Sequence, residues 1–265
     1  VELIELAGAD RAHCRRCIRA AQCLPSVLKR RDLNTLERLV TNVPMLNKGD
    51  QLFAAGQAAD ALYVLRSGAL QSSTINGYGN EQIMAFLLAG DFVGVTALHE
   101  GVYMTTTMAM QTSSVCKIPF DAVAQLSASN PSLDRYLARL LGRELQACRQ
   151  ARLRLAAPRS KTRVARFISQ LMSTLAGRGL SATHFRLPMA RWQIANHLGL
   201  AIESLSRVLA SFRAQGIVEV RNREVVVHDP VRLQQLADGL LFEGVAEGGE
   251  GSPVLRLVAN AGRRV

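Results

Sequence analysis

Residues 130–158, NPSLDRYLARLLGRELQACRQARLRLAAP, are the stretch around which the rest of the chain is arranged. Asn130 suits an N-cap, Pro131 the first helical position, and Pro158 the end of a helix. Between them Ala138, Leu141, Leu145, Cys148, Arg152 and Leu155 step by alternating threes and fours, the spacing of a coiled-coil seam. Leu133, Leu137 and Leu140 widen the apolar surface, so one edge can pack on the helix's own domain while the seam meets a second copy. Periodicity alone fits a buried single-chain helix equally well. Position tips the reading, because β-like sequence precedes the helix and a helix-turn-helix pattern follows it. A dimerisation helix joining a sensor to a reader is expected.

At 265 residues the chain can build two domains with real cores. A net charge of +11 and a pI near 10.2 point to a polyanionic partner, although charge alone does not separate nucleic acid from a membrane surface. No apolar run reaches the ~18 residues of a membrane span, and the amino terminus lacks a signal-peptide pattern. A cytoplasmic protein with no membrane partner is expected. There its five cysteines serve as metal ligands or redox groups rather than as disulfides.

The run HCRRCIRAAQCLP sets Cys14, Cys17 and Cys23 close together. A Cys-x2-Cys pair lets two thiolates reach one metal centre, and a third sulfur nearby can close on it. Tetrahedral zinc and a cubane cluster both ask for a fourth. Structural zinc sites usually show two such pairs, and no second pair is present. Cys116, in the strand-like run SSVCKIPF, and Cys148, on the seam, are the remaining candidates. Spacing leaves zinc and cluster on an equal footing, with His13 incidental. Arg11, Arg15, Arg16 and Arg19 surround the thiols. They read as a solvated basic segment, or as guanidinium groups that offset the net charge of about −2 on a four-thiolate cubane and raise its reduction potential.

Residues 26–44 read as a helix that stops at Pro44. From Lys48 to Ile118 short apolar runs are punctuated by glycines, the pattern of a compact double-sheet β domain such as a jelly roll. The fold class expected is α+β. The glycine-rich segments lack Walker spacing and are given a turn role.

The last third reads as a winged helix-turn-helix. SKTRVARFISQLMSTL forms an amphipathic helix, RWQIANHLG a second, and AIESLSRVLASFRAQG a third after a turn at Gly199. VEVRNREVVVHD then supplies the wing. Glu203, Ser206 and Arg207 share one exposed face, and their chemistry suits base edges in a major groove. The bland alternative is an ordinary solvated Glu–Arg pair. Arg191, Arg213 and Arg221 are expected to touch phosphate. A short helix follows Asp229-Pro230 to about Leu241. The domain limits are 1–25 for the cysteine-rich segment, 26–129 for the sensor, 130–158 for the dimer helix, 159–241 for the reader, and 242–265 for a disordered tail.

KGDQLFAAGQAADALYVLRSGAL, then LAGDFVG, then a long helix, resembles the cyclic-nucleotide-binding fold of the cyclic-AMP receptor protein superfamily. Its nucleotide-binding members carry an acidic residue after the glycine turn and an Arg-Ser/Thr pair for the phosphate. Here Val95-Thr96-Ala97 follows Gly94, and YMTTTMAM has no arginine, so no cyclic nucleotide is expected.

The cysteine spacing, VCKIPF and GNEQIMAFLLAGDFVG resemble the FNR branch, the fumarate and nitrate reduction regulators. That resemblance implies that Cys14, Cys17, Cys23 and Cys116 ligate an oxygen-labile [4Fe–4S] cluster, with Cys148 left as packing. The E-x-x-S-R pattern of Glu203, Ser206 and Arg207 is similar to the same branch and implies a TTGAT-like half-site in an inverted repeat. It further implies a homodimeric activator or repressor, not an enzyme, in which cluster loss loosens the seam. Surface near Gly79–Ala85 would meet RNA polymerase. A zinc or thiol sensor on the same scaffold is the alternative. An iron–sulfur redox enzyme or electron carrier stands third, because flavin and dinucleotide fingerprints are missing.

Overall fold

The computed structural model describes residues 13–157 and 159–239, without the side chains of 154–156. Arg11, Pro158, the side chain of Leu155 and the tail expected over 242–265 lie outside the described residues.

Three 3-10 turns, Cys14–Arg16, Ala20–Gln22 and Leu24–Val27, carry the amino-terminal cysteines. They lead into α1 (Arg30–Leu39) and β1 (Thr41–Asn42). The continuous helix expected over 26–44 is therefore broken. Val40 is extended, and Thr41 and Asn42 pair instead with Lys117 and Cys116 of a distant strand. Pairing with an open sheet edge outweighs the helical pattern at these positions.

The sensor continues through β2 (Gln51–Phe53), β3 (Ala61–Ser67), β4 (Ala69–Ile75), β5 (Glu81–Leu88), β6 (Phe92–Val93), α2 (Ala97–Glu100), β7 (Thr106–Ala109), β8 (Ser114–Pro119) and α3 (Phe120–Ser127). The strands form two four-stranded antiparallel sheets, ordered β1-β8-β3-β6 and β2-β7-β4-β5, which is the double-sheet roll expected. Their shared interior is filled by aromatic rings. Phe53 stacks on Tyr103 at 3.8 Å, Tyr63 lies 5.7 Å from Phe53, and the Tyr103 hydroxyl donates to the Ala61 carbonyl.

Then comes α4 (Pro131–Ala156), the long helix that the 130–158 stretch predicts. Asn130 sits at its start with its carbonyl accepting the Leu133 N–H, while its side-chain amide donates to Leu126 at the end of α3. Leu133, Tyr136 and Leu140 are buried against the sensor; from Leu141 to Gln150 every residue is exposed.

The reader comprises α5 (Ser160–Ala176), β9 (His184–Arg186), α6 (Arg191–Leu198), α7 (Ile202–Ala214), β10 (Val218–Arg221), β11 (Glu224–Val227) and α8 (Pro230–Asp238). The α6–α7 turn needs Gly199 because φ is +60° there, the left-handed region that glycine enters at little cost. Asn222 and Arg223 both have positive φ and close the two-residue wing hairpin. Strand β9 has no counterpart in the sequence reading; it joins the wing through Val225↔Phe185. Val164, Ile194, Ala195, Leu198, Leu205 and Phe212 form the core, and Ala69 and Met110 of the sensor belong to the same apolar cluster.

Candidate functional site

Two sites stand out: a group of thiols in the amino-terminal domain and an exposed helix in the carboxy-terminal one. The antiparallel register of β3 and β8 sets Cys116 opposite Val64, and β1 places Asn42 on its other side. Over this edge the three 3-10 turns fold so that Cys14, Cys17, Cys23 and Cys116 line one cavity. Leu24, Leu36, Val40 and Ile118 supply much of the remaining wall. Cys148 is exposed on α4, away from this ring.

The apolar wall has an electrostatic consequence. Burial pushes the thiols of Cys14 and Cys23 up to about 12, and that of Cys116 up to about 11, because a thiolate loses its hydration there. The neighbouring cysteines raise Cys14 further, whereas Arg66 acts the other way on Cys14 and Cys116. Left to themselves these groups stay protonated. A bound cationic centre would reverse that, since coordination deprotonates thiols. The donor set therefore fits a thiolate-ligated metal group. Among the described residues no set of three or more His, Cys, Asp or Glu side chains is gathered tightly enough to hold a single ion. The cavity itself is small, ≈ 30 Å³. Holding a larger group requires the short 3-10 turns to move apart, which their few hydrogen bonds permit.

The basic residues are arranged differently from the sequence expectation. Arg15 turns away from the thiols. Its backbone N–H donates to Glu37 at 2.9 Å, and its guanidinium bonds Asn34 and the Arg30 carbonyl on α1. Arg16 is exposed, and among the described residues of that group only Arg19 lines the cavity. The guanidinium facing Cys116 is that of Arg66, which also donates to Asn42 at 3.0 Å. Arg66 lies on β3, and no local signal connects it to cysteines so far away in the chain.

The thiol segment is fastened to α4. Ser132 donates to the Val27 carbonyl at 3.0 Å, and Tyr136 donates to the Gln22 carbonyl at 2.9 Å. The seam beyond is open: Leu141 is 47% and Leu145 54% exposed, and Ala138, Cys148 and Arg152 are exposed as well.

On α7 Glu203 and Arg207 are exposed and Ser206 is half-buried, while Leu205, Val208 and Phe212 anchor the helix. Arg207 donates to Ser204 at 3.3 Å, a contact that leaves most of its fork available. Arg191 and Arg213 are exposed, and Arg221 is held by Glu219 at 2.6 Å. The reader is docked on β5 through α6. Asn196 accepts from the Ile83 N–H at 2.7 Å and donates to the Glu81 carbonyl at 2.8 Å; Gln193 donates to Gln71 at 2.6 Å. Phe86 packs edge-on against Phe167, with ring centroids 6.2 Å apart.

Comparison with known proteins matches a cyclic nucleotide-binding domain over residues 45–130 and a Crp-like helix-turn-helix domain over 162–236. The chain is 37% identical over 240 residues to the transcriptional activator protein FnrA of Stutzerimonas stutzeri, covering 91% of this chain and 98% of that one. It is 36% identical over 230 residues to the fumarate and nitrate reduction regulatory protein of Escherichia coli strain K12, covering 87% and 92%. Among solved structures, FixK2 from Bradyrhizobium japonicum matches with a TM-score of 0.67 at 27% identity, over 74% of this chain and 96% of that one.

Proposed function

This chain belongs to the FNR family of Crp-type transcription regulators, and we propose that it is an oxygen-responsive member whose dimerisation and DNA binding depend on a [4Fe–4S] cluster held by Cys14, Cys17, Cys23 and Cys116. The observation that carries this reading is the convergence of those four thiols on one cavity, walled by 3-10 turns that are themselves hydrogen-bonded to the long helix α4 at Gln22 and Val27.

Among the described residues no set of three or more His, Cys, Asp or Glu ligands is gathered closely enough for one ion, which supports a cluster over a single zinc. Four thiolates on one tetrahedral zinc lie about 3.8 Å apart, given Zn–S bonds near 2.3 Å. A cubane instead offers each cysteine its own iron. When bound, the cluster supplies a centre that oxygen destroys. The chain's residues do the rest. Cys14, Cys17 and Cys23 tie the amino-terminal turns to Cys116 on β8. Those turns, through Gln22 and Val27, hold the first two turns of α4 against the sensor. Seam residues Ala138, Leu141, Leu145, Cys148, Arg152 and Leu155 then meet their counterparts in a homodimer. Arg152 keeps that pairing marginal by like-charge repulsion, which a switch requires because a ligand moves an equilibrium no further than its differential affinity allows.

Pairing sets two α7 helices about one DNA turn apart. Glu203, Ser206 and Arg207 read a TTGAT-like half-site of an inverted repeat, and Arg191, Arg213 and Arg221 set register on phosphates. The protein acts in the cytoplasm as an activator or repressor, is not an enzyme, and takes no cyclic nucleotide. Aromatic filling of the roll and the uncharged run from Tyr103 to Met110 support the last point. RNA polymerase meets the β4–β5 hairpin near Gly79–Ala85, where Gly79, Asn80, Glu81 and Met84 are exposed and Ile83 is buried. The domain limits proposed are 1–25, 26–129, 130–158, 159–241 and 242–265.

The test is an ultraviolet–visible spectrum of protein purified anaerobically, repeated after air is admitted, with DNA binding assayed in both states. A visible absorbance that bleaches in air, with iron and sulfide present and DNA affinity lost, is expected. Colourless protein after anaerobic reconstitution with iron and sulfide would move the sensor to zinc or thiol chemistry and leave the reader intact.

A further inference from the structure

A second cavity, ≈ 510 Å³, lies between the sensor and the reader. Its wall comes from the base of the β4–β5 hairpin, the carboxy-terminal end of α5, β9 and the wing, and its size falls within the ~300–1,000 Å³ of small-molecule sites. Four arginines line it, Arg19, Arg178, Arg186 and Arg223, and no carboxylate does among the described residues. Leu88, Leu171 and Phe185 contribute an apolar side.

Guanidinium groups do not shed their charge; solvent screens the exposed Arg186 and Arg223, but four lining one space still present a local excess of positive charge. Partners outside the cavity offset part of it. Arg178 pairs with Asp91 at 2.5 Å and donates to the Ala89 carbonyl at 2.8 Å. Arg186 lies 3.7 Å from Glu224, and Arg223 donates to the Pro188 carbonyl at 3.2 Å. Each group has five donors, so these contacts leave donors to spare. Arg19 goes further: its Nε is buried with no partner among the described residues. An unmet charged donor beside three more arginines is the arrangement an anion completes.

We propose that this cavity binds a small organic anion carrying two or more negative charges, of the phosphorylated-metabolite class. Arg19 reaches it from the thiol-bearing segment, and Arg178, Arg186 and Arg223 reach it from the reader. Phosphate suits the site better than a single carboxylate because its charge and several acceptor oxygens can engage more than one guanidinium fork at once. Arg19 also lines the thiol cavity. An occupied site therefore clamps the amino-terminal turns to the docked reader and couples a metabolite to the same element that carries the cysteines. DNA phosphate is the other source of this chemistry. A duplex is too wide for a space of this size, but the wing arginine Arg223 could serve DNA instead, and the test separates the two.

The full chain is titrated calorimetrically with sodium pyrophosphate at ionic strength held constant with potassium chloride. One site per chain is expected. Arg19→Gln and Arg223→Gln should each weaken binding about tenfold or more, the scale of a lost charge-assisted hydrogen bond. Arg38→Gln, on the exposed side of α1, should bind as the parent does. Hydrogen exchange on the unaltered protein should show pyrophosphate protecting residues 14–28 and 184–187 together. Heat no greater than the chloride control, equal affinity in both cavity variants, absence of joint protection, or displacement of pyrophosphate by a duplex of unrelated sequence would each overturn the proposal.

Discussion

The hydroxyl of Tyr136 on α4 donates to the carbonyl of Gln22, 2.9 Å away, and so joins the long helix to the segment that carries three of the four thiols. Burial pushes this phenol up to about 12, so it remains a donor across the physiological range. Tyr136→Phe removes the bond and keeps the edge-on contact with Phe92, whose ring centroid is 6.0 Å away. The loss of ~1 kcal/mol expected for one hydrogen bond should weaken dimerisation of the iron-loaded protein about fivefold. Sedimentation equilibrium reads this directly, and an unchanged dimer would disconnect the two elements.

Cys116 and Cys148 are both distant from the amino-terminal cysteines in sequence, yet only Cys116 shares their cavity. Cys116→Ser should purify without its iron complement, and Cys148→Ser should retain it. Iron and sulfide assays on anaerobic preparations decide the point; loss of iron from Cys148→Ser would show that the ligand set is misassigned.

The seam can be weakened or strengthened without touching a core, because Ala138, Leu141, Leu145, Cys148 and Arg152 are exposed in the single chain. Leu145→Glu sets two carboxylates against each other across the pair and should leave the protein monomeric with or without oxygen. Since Leu145 is 54% exposed and belongs to none of the apolar core clusters, stability of the single chain should change by less than ~0.5 kcal/mol. Arg152→Leu should instead dimerise in air. Sedimentation velocity distinguishes both from the parent, and a monomeric Arg152→Leu in air would refute the repulsion argument.

Base reading and phosphate contact should separate in binding assays. Arg207→Ala should cost ~1–3 kcal/mol on the preferred site and relax the preference at one base pair. Arg213→Ala should weaken every sequence alike and reduce the salt slope by about 1. If Arg207→Ala weakened all duplexes equally, the E-x-x-S-R face would be a solvated pair rather than a reader.

Asn196 satisfies the backbone of β5 at both Ile83 and Glu81. Asn196→Ala leaves the Ile83 N–H without its acceptor and should loosen docking by ~1–3 kcal/mol. Hydrogen exchange at the Ile83 amide should accelerate roughly ten- to a hundredfold while the α7 core amides keep their rates. Unchanged exchange at Ile83 would mean that the apolar contacts of Phe86 with Phe167 suffice to hold the domains together.

Features that depend on residues a few positions apart were legible in the sequence. The α6–α7 motif follows from a glycine that must enter the left-handed region between two amphipathic runs, and the wing from the valine-rich run VEVRNREVVVHD. The helix of 130–158 followed from its caps and repeat. Strands β1 and β9 were not legible. Each has only two or three residues, too few to show alternation, and each exists because a partner strand offers hydrogen bonds there.

The same division holds for the sites. The sequence by itself determined that three thiols lie within reach of one another, that a long helix carries apolar residues at heptad spacing, and that Glu203, Ser206 and Arg207 share a face, since helical period and chain connectivity impose these. Spacing left Cys116 and Cys148 both open as the fourth thiol, and the resemblance implied Cys116. Only the tertiary structure places Cys116 on the wall of the cavity that the other three thiols line, sets Arg66 rather than Arg15 against it, and joins Tyr136 to the thiol-bearing segment. Those choices rest on the register of β8 against β1 and β3 and on which buried donors find acceptors. Pairings across such long stretches of chain are set by the packing of the whole roll, because each strand edge accepts any partner whose side chains fit the face that is buried.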